Sequence, residues 1–270
     1  MNIVNFHDMY SFDFQLKHLF AMNQKWSDQQ IFPMQKSRET SALLLYVHGC
    51  GYYTCSDGTG LSAPEGSVVY IPQGSVYQTQ FISHDKSRVH TRLLEFEMTD
   101  STGSPFAATD KPLLLPFNNT DNYREIFEEL VATYTSSFYS YSLMKSKVYQ
   151  LLHDICKGFH QDRIYSKTYM PIAKGILYLE QDASDRMSIA EIAAMCNVDE
   201  SCFRRLFKQY SGLSPSEYRL QNMIRRAKAL LRSQDMTVSE ISARLGFQDP
   251  AYFSRIFKKK TGFSPSAYMK

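Results

Sequence analysis

The chain has 270 residues, 43% of them hydrophobic and 14% aromatic, with a formal net charge of +3. That length suits two domains, and the aromatic content excludes a disordered chain. There is no apolar run of about 18 residues, no basic-then-apolar secretory start, and the five cysteines (Cys50, Cys55, Cys156, Cys196, Cys202) are irregularly spaced, so no transmembrane helix and no disulfide framework is expected, and a cytoplasmic location is.

The charge is unevenly spread. Residues 169–270 hold sixteen Lys and Arg against ten Asp and Glu, while residues 1–168 hold fourteen against seventeen. A basic C-terminal third suggests that one region faces a polyanion.

Residues 40 to 98 read as strands. Leu43-Leu44-Leu45-Tyr46-Val47 and Ser67-Val68-Val69-Tyr70-Ile71 are short branched and aromatic runs, bounded by Gly49, Gly51, Pro64, Gly66, Pro72 and Gly74. Such spacing predicts a sandwich or barrel. Residues 99 to 120, with Gly103, Pro105, Pro112, Pro116 and Asn118-Asn119, predict loop with one further strand. From Asp121 to Gln161 the pattern turns helical. Ile126, Leu130 and Tyr134 share one face, and Leu143, Val148, Leu151, Leu152 and Ile155 form a second stripe, with a break near Ser140 to Ser142. These two helices suit either packing on the strand domain or a seam between two copies. Pro171 suits the first turn of a helix running to about Asp182.

The remainder contains a repeat. Phe203-Arg204-Arg205-Leu206-Phe207-Lys208 returns 50 residues later as Phe253-Ser254-Arg255-Ile256-Phe257-Lys258. Gly212, Ser214-Pro215-Ser216 and Tyr218 return as Gly262, Ser264-Pro265-Ser266 and Tyr268 at the same offset. Upstream, Ser188-Ile189-Ala190-Glu191-Ile192 returns as Thr237-Val238-Ser239-Glu240-Ile241 after 49 residues, so the second copy has one extra residue near Gln248-Asp249-Pro250. A turn tolerates that insertion, whereas a helix would rotate every later side chain.

Each copy predicts two helices. Ser188 with Glu191, and Thr237 with Glu240, read as capping boxes. Cys196-Asn197-Val198 and Leu245-Gly246-Phe247 read as tight turns whose middle residue needs positive φ, which Gly adopts freely and Asn next best. Asp199, and Asp249 followed by Pro250, cap the next helix. There Phe203, Leu206 and Phe207 face inward, which leaves Arg204, Arg205 and Lys208, and likewise Ser254, Arg255 and Lys258, outward. Gly212 and Gly262 end these helices. Glu217 to Leu231 reads as one connecting helix of roughly 22 Å, a spacer suited to holding two reading helices about one DNA turn apart.

This region, 170 to 270, resembles the DNA-binding domain of the AraC/XylS family of bacterial regulators. Ile241, Ala243, Gly246-Phe247, Tyr252-Phe253, Phe257-Lys258, Gly262, Ser264-Pro265 and Tyr268 stand where the family has them. The departure is Asn197, where the first copy more often has Gly. The resemblance implies base contacts from Ser201, Arg204 and Arg205 in the first copy and from Ala251, Tyr252, Ser254 and Arg255 in the second. Lys208, Lys258, Lys259 and Lys260 read as phosphate contacts. It also implies a cupin-like N-terminal effector domain, double-stranded DNA and RNA polymerase as partners, and a homodimer.

Gly66, Pro72-Gln73-Gly74 and Tyr77 resemble the second cupin motif, with Tyr77 where a metal-binding histidine usually stands. The first motif needs paired histidines, and only His48 is present. Tyr is a poor ligand for ordinary divalent sites, so no metal, no cofactor and no enzymatic activity are expected. Gly66, Pro72 and Gly74 then read as a barrel turn. Cys50 and Cys55 read as ordinary thiols in preference to a half metal site or redox pair, and Cys202 as a structural thiol in preference to an oxidant sensor. Tyr46, Tyr52, Tyr53, Tyr70 and Tyr77 suit either a small-ligand pocket, such as one for a sugar, or the core and exterior of the barrel. His48, Arg92 and Glu95 are further pocket candidates.

The expected architecture is α+β: a cupin-like regulatory barrel over 1–115, a helical dimerisation segment and linker over 116–165, and an all-α domain over 166–270 with two helix-turn-helix units joined by a long helix. The expected function is a sequence-specific transcription regulator, an activator by analogy, controlled by a small effector. The alternatives are a metal-dependent cupin enzyme with an appended DNA-binding domain, or an effector-independent DNA-binding protein.

Overall fold

The structure, a computed structural model, describes residues 2–9, 12–33, 36–116, 120–181, 187–233, 235–247 and 249–269. The expectations that touch Asn118, Asn119, Asp182 and Gln248 lie outside these residues. The fold is α+β, in two compact units, Met1–Asp162 and Arg163–Lys270.

The first unit opens with β1 (Asn2–Ile3) and one helical turn, α1 (Phe6–Met9). It continues through β2 (Phe14–Trp26), β3 (Ile31–Pro33), β4 (Ser41–His48), β5 (Cys50–Cys55), β6 (Gly60–Ala63), β7 (Val68–Ile71) and β8 (Tyr77–Ile82). Then come β9 (Val89–Asp100), β10 (Pro105–Ala107), β11 (Leu113–Leu114), α2 (Thr120–Thr135) and α3 (Tyr141–Ile164). The strands form a seven-stranded sheet, ordered β1-β10-β9-β4-β7-β11 with β2 also paired to β9, and a four-stranded sheet, ordered β3-β8-β5-β6.

Both faces of the large sheet are buried, which is why β4 reads as a continuous apolar run. Ala42, Leu44 and Tyr46 face the small sheet, where they meet Tyr53, Val69, Ile71, Tyr77, Phe81 and Leu93. Leu43 and Leu45 face the other way, into a core shared with Phe6, Phe127, Leu130, Val148, Leu151 and Ile155. The unit is therefore three layers: small sheet, large sheet, helices. The apolar faces of α2 and α3 are taken up by this core. Leu143 does not join the second stripe: it is 49% exposed, and Met144 is buried in its place. The described residues between 99 and 120 hold two short strands, β10 and β11, where one was expected.

The longest strand, β2, was not legible as a strand. Its pairing with β9 shifts between Lys17 and Phe20, where His18 adopts φ 52°. This bulge resets the alternation, so Leu16, Leu19 and Ala21 are the buried residues and no simple period of two survives. Tyr149 of α3 secures the strand, its hydroxyl accepting from Leu16 N at 3.0 Å and donating to Phe14 O at 3.2 Å.

The second unit is helical. A 3-10 turn at Met170–Ile172 contains Pro171 and leads into α4 (Ala173–Glu180), so the α-helix expected at Pro171 starts later. There follow α5 (Ile189–Met195), α6 (Glu200–Ser211), α7 (Pro215–Ser233), α8 (Val238–Arg244), α9 (Pro250–Thr261) and α10 (Pro265–Tyr268). The 19-residue α7 is about 28 Å long, longer than the expected spacer. The duplication also extends further than the sequence motifs suggested. Ile172, Gly175 and Leu179 precede the first copy, and Ile224, Ala227 and Leu231 stand 52 residues on. Each set is buried against its own copy, so the repeat is a three-helix unit.

Two repeat positions test this packing. A Cβ on Gly175 would lie 2.4 Å from the Phe203 ring and 2.9 Å from Ile192. Overpacking of about 1–3 kcal/mol should outweigh the gain of about 1 kcal/mol in helix propensity. Gly175→Ala should therefore lower the melting temperature, and an unchanged or raised value would refute the close approach. Ser242 is fully buried with no hydrogen-bond partner for its hydroxyl, where the first copy has Ala193. Ser242→Ala should raise stability by about 1 kcal/mol in urea denaturation, because it removes an unsatisfied buried hydroxyl.

Candidate nucleic-acid interface and barrel cleft

In the second unit each copy begins with a reciprocal cap. Glu191 N donates to Ser188 Oγ at 3.2 Å and Ser188 N to Glu191 Oε2 at 2.7 Å. Thr237 and Glu240 repeat this at 3.3 and 2.7 Å. The backbone amides of Ser188 and Thr237 hold the Glu191 and Glu240 carboxyls below the usual range. The first helix of each copy then ends in a left-handed residue, Asn197 at φ 53° and Gly246 at φ 81°. Asn197 N donates to Ala194 O and Val198 N to Ala193 O; Gly246 N donates to Ala243 O and Phe247 N to Ser242 O. These are paired Schellman bonds, identical in the two copies. Asp199 then accepts from Cys202 N at 2.8 Å, and Asp249 from Ala251 N and Tyr252 N at 2.8 and 3.1 Å, which starts α6 and α9.

These caps set the phase of both second helices. Phe203, Leu206, Phe207 and Tyr210 of α6 are buried, as are Phe253 and Phe257 of α9. Ser201, Arg204, Arg205 and Lys208, and Ala251, Tyr252, Arg255, Lys258, Lys259 and Lys260, are exposed; Ser254 is half-buried. Several of these groups have local partners. Arg204 Nε donates to Glu200 at 2.7 Å, Ser201 Oγ to Asp199 at 2.5 Å, and Ser254 Oγ to Pro250 O at 2.9 Å. Arg205 lies 3.9 Å from Cys202 Sγ, and the Arg255 guanidinium lies 6.0 Å over the Tyr252 ring. Each helix thus offers an exposed guanidinium followed by an exposed ammonium.

In the first unit the structure sorts the pocket candidates by strand parity. Tyr46, Tyr53, Tyr77 and Glu95 point between the sheets. Tyr70 points the opposite way, into the helix-side core, where it meets Ser41 Oγ at 3.0 Å and accepts from Ala108 N at 3.0 Å. Burial pushes its phenol up to about 12. Arg92 is also on the helix side: it donates to Glu128 of α2 at 2.6 Å and to Arg124 O at 3.3 Å. His48 sits at the end of β4, 2.9 Å from Ser87 Oγ and 3.3 Å from Glu65, apart from the tyrosines. Tyr70, Arg92 and His48 therefore line no common pocket with the others. Tyr52 is 44% exposed.

Between the sheets is a cleft of about 140 Å³ lined by Trp26, Phe32, Tyr53, Tyr77, Phe81 and Glu95, with Arg38 beside them. Arg38 donates to Tyr77 Oη at 3.1 Å and to Thr40 O at 3.2 Å, and it forms an ion pair with Glu95. Trp26 stacks on Phe81 with centroids 4.3 Å apart and the planes 4° from parallel. Tyr46 and Tyr53 share a hydroxyl hydrogen bond of 2.9 Å, and burial pushes both phenols, with that of Tyr77, upward. The volume matches a cavity that holds one six-membered ring. Arg38 and Trp26 were missed in the sequence because neither lies in an alternating segment; the lone tryptophan was the available signal. Tyr77 accepts from a guanidinium, that of Arg38. Among the described residues no group of three or more His, Cys, Asp or Glu is placed to hold a metal.

Cys50 and Cys55 are the two ends of β5, about 17 Å apart along the strand, so they form neither a half metal site nor a redox pair. Cys50 is buried and its thiol donates to Ile82 O at 3.4 Å. Among the described residues no helix is long and apolar enough to cross a membrane.

A helix-turn-helix domain family (HTH_18) matches residues 186–270. The HTH-type transcriptional activator Btr of Bacillus subtilis is 27% identical over 263 residues, covering 95% of this chain and 48% of that protein. The HTH-type transcriptional activator RhaR of Yersinia pseudotuberculosis is 34% identical over 74 residues, 27% of this chain and 26% of that protein. The chain thus spans about half the length of the first of these relatives and matches about a quarter of the second. Among solved structures, apo ToxT from Vibrio cholerae aligns over 93% of this chain and 96% of its own at 15% identity, with a TM-score of 0.41. An AraC-type regulator from Chromobacterium violaceum aligns over 37% and 89% at 26% identity, with a TM-score of 0.34. Residues 186–270 of this chain are a helix-turn-helix domain.

Proposed function

We propose that the chain is a sequence-specific DNA-binding transcription regulator, and an activator, as the two relatives are named. The observation that carries this reading is the pair of aspartate-capped helices, α6 and α9, each presenting an exposed arginine and lysine at the same repeat positions. Arg205 and Arg255 are suited to guanine O6 and N7 in the major groove, and Lys208 and Lys258 to phosphates. Ser201, Arg204, Ala251, Tyr252 and Ser254 complete the proposed surface. Double-stranded DNA and RNA polymerase are the proposed partners, and the cytoplasm the proposed location. Homodimerisation belongs to the same proposal. With the apolar faces of α2 and α3 occupied, a second copy would meet other surface, such as the exposed turn of Phe138, Tyr139, Tyr141 and Leu143.

The effector part of the proposal rests on the cleft between the sheets. An aromatic stack on one side and the Arg38–Glu95 pair on the other suit a neutral, hydroxyl-bearing ring, and a monosaccharide is the proposed class. The paired charges cancel, so the site does not select an ion. A metal-dependent cupin reaction fits less well, because the guanidinium of Arg38 would repel a cation at Tyr77.

Fluorescence anisotropy on duplexes at several salt concentrations tests the DNA contacts. Arg205→Ala should weaken specific binding by about 1–3 kcal/mol and relax the preference at one base pair; an equal loss on all sequences would make Arg205 a phosphate contact. Lys258→Ala should weaken all sequences alike and reduce the salt slope by about one, and an unchanged slope would exclude that role. Thermal-shift screening of the full chain against monosaccharides tests the cleft. A stabilising sugar should lose its effect in Glu95→Gln, and a shift that survives this substitution would place the sugar elsewhere.

A further inference from the structure

The two reading helices carry the same arginine but different neighbours. Counted from the capping aspartates Asp199 and Asp249, Arg205 and Arg255 both stand sixth, whereas the second and third positions are Ser201 and Cys202 in α6 but Ala251 and Tyr252 in α9. In α6 the Ser201 hydroxyl is engaged by Asp199, Cys202 is half-buried, and Arg204 is held by Glu200. Of these α6 side chains, Arg205 is the one whose charged group is not held by an acid of its own helix turn, and it has no exposed apolar group beside it. In α9, Ala251 is exposed and Tyr252 is 51% exposed. The Tyr252 ring lies beside Phe247, with centroids 6.3 Å apart and the planes tilted by 55°, and the Arg255 guanidinium lies 6.0 Å over it. An apolar methyl, a rigid ring and a guanidinium thus form one continuous surface at the helix start, the part of a reading helix that meets base edges.

Among the base edges of the major groove, the one apolar group is the 5-methyl of thymine, and the strongest acceptor pair is guanine O6 and N7. We infer that Ala251, Tyr252 and Arg255 read a thymine next to a guanine, the thymine through its 5-methyl group, while α6 reads a guanine with no methyl requirement. The two half-sites of the operator are therefore unequal: both need guanine, and only the one under α9 needs a thymine methyl. The inference rests on the DNA-binding reading above. Tyr252 acts in it twice, as the surface against the methyl and as the ring that orients Arg255.

The test uses the full chain and duplexes enriched from a random library. The half-site whose guanine preference is lost in Arg255→Ala belongs to α9, and the one lost in Arg205→Ala belongs to α6. Each thymine is then replaced by deoxyuridine, which removes only the methyl. One replacement in the α9 half-site should weaken binding about fourfold, the worth of one buried methyl, and replacements in the α6 half-site should leave it unchanged. Tyr252→Ala should abolish the deoxyuridine effect and Tyr252→Phe should retain it. Indifference of the α9 half-site to deoxyuridine, or equal sensitivity of both half-sites, overturns the inference, and the wild-type comparison decides this even where Tyr252→Ala loses binding. A library that enriches no sequence removes the DNA-binding reading and this inference with it. Enriched sites that ignore deoxyuridine remove the inference alone.

Discussion

A residue in the left-handed conformation, Asn197 in one copy and Gly246 in the other, ends α5 and α8 and sets the direction in which α6 and α9 depart. For a non-glycine residue this conformation costs roughly 1–2 kcal/mol, which asparagine lessens with its short polar side chain. The Schellman bonds to Ala193 and Ala194, and to Ser242 and Ala243, offset that cost by satisfying carbonyls at the helix end. Asp199 and Asp249 then start the next helix at a fixed residue, so its rotation is set before any side chain packs. With that phase, Phe203 and Phe207, or Phe253 and Phe257, go inward, and the cations have only the outer face left. The exposed arginines follow from the turn as much as from their own chemistry.

The first unit answers to a different constraint. Its large sheet is buried on both sides, so neighbouring residues of one strand enter different cores. Tyr46 and Tyr70 are both buried tyrosines in paired strands, yet Tyr46 faces the small sheet and Tyr70 the helices. Arg92 and Glu95, three residues apart on β9, also part company: Arg92 meets α2 and Glu95 meets Arg38. A charged pair beside an aromatic stack is an expensive thing to keep between two sheets unless its hydrogen bonds are made. Arg38 makes them with Tyr77, Thr40 and Glu95, which gives the cleft polar groups of fixed orientation.

The duplication shows which positions the unit needs and which it leaves free. The phenylalanines, the helix-ending glycines, the capping acids and the small residue under Phe203 or Phe253 are kept in kind. Gly175 leaves no room for a methyl against the Phe203 ring, and its counterpart Ala227 shares a core with Phe253. Ser242 sits in the core where its counterpart is Ala193, at the expense of an unsatisfied hydroxyl. The divergence is greatest at the start of the reading helices, Ser201 and Cys202 against Ala251 and Tyr252. There Ser201, Ala251 and Tyr252 are exposed and the surface is open to specialise.

What could be read from the sequence alone was what is local. The capping boxes, the positive φ at Asn197 and Gly246, the aspartate caps and the inward phenylalanines each depend on residues within about ten positions, and the repeat marked them twice. The two helices after residue 120 and the strands at 43–47 and 67–71 were legible for the same reason, since a period of 3.6 or a short apolar run needs no distant partner. Tertiary structure decided the rest. The bulge at His18 hid β2, because its alternation makes sense only against β9. The side of the sheet that each tyrosine faces depends on strand register, and a shift of one residue would exchange the two faces. Arg38 and Trp26 come to the cleft from segments without a pattern of their own, brought there by pairings with strands about 40 to 70 residues away.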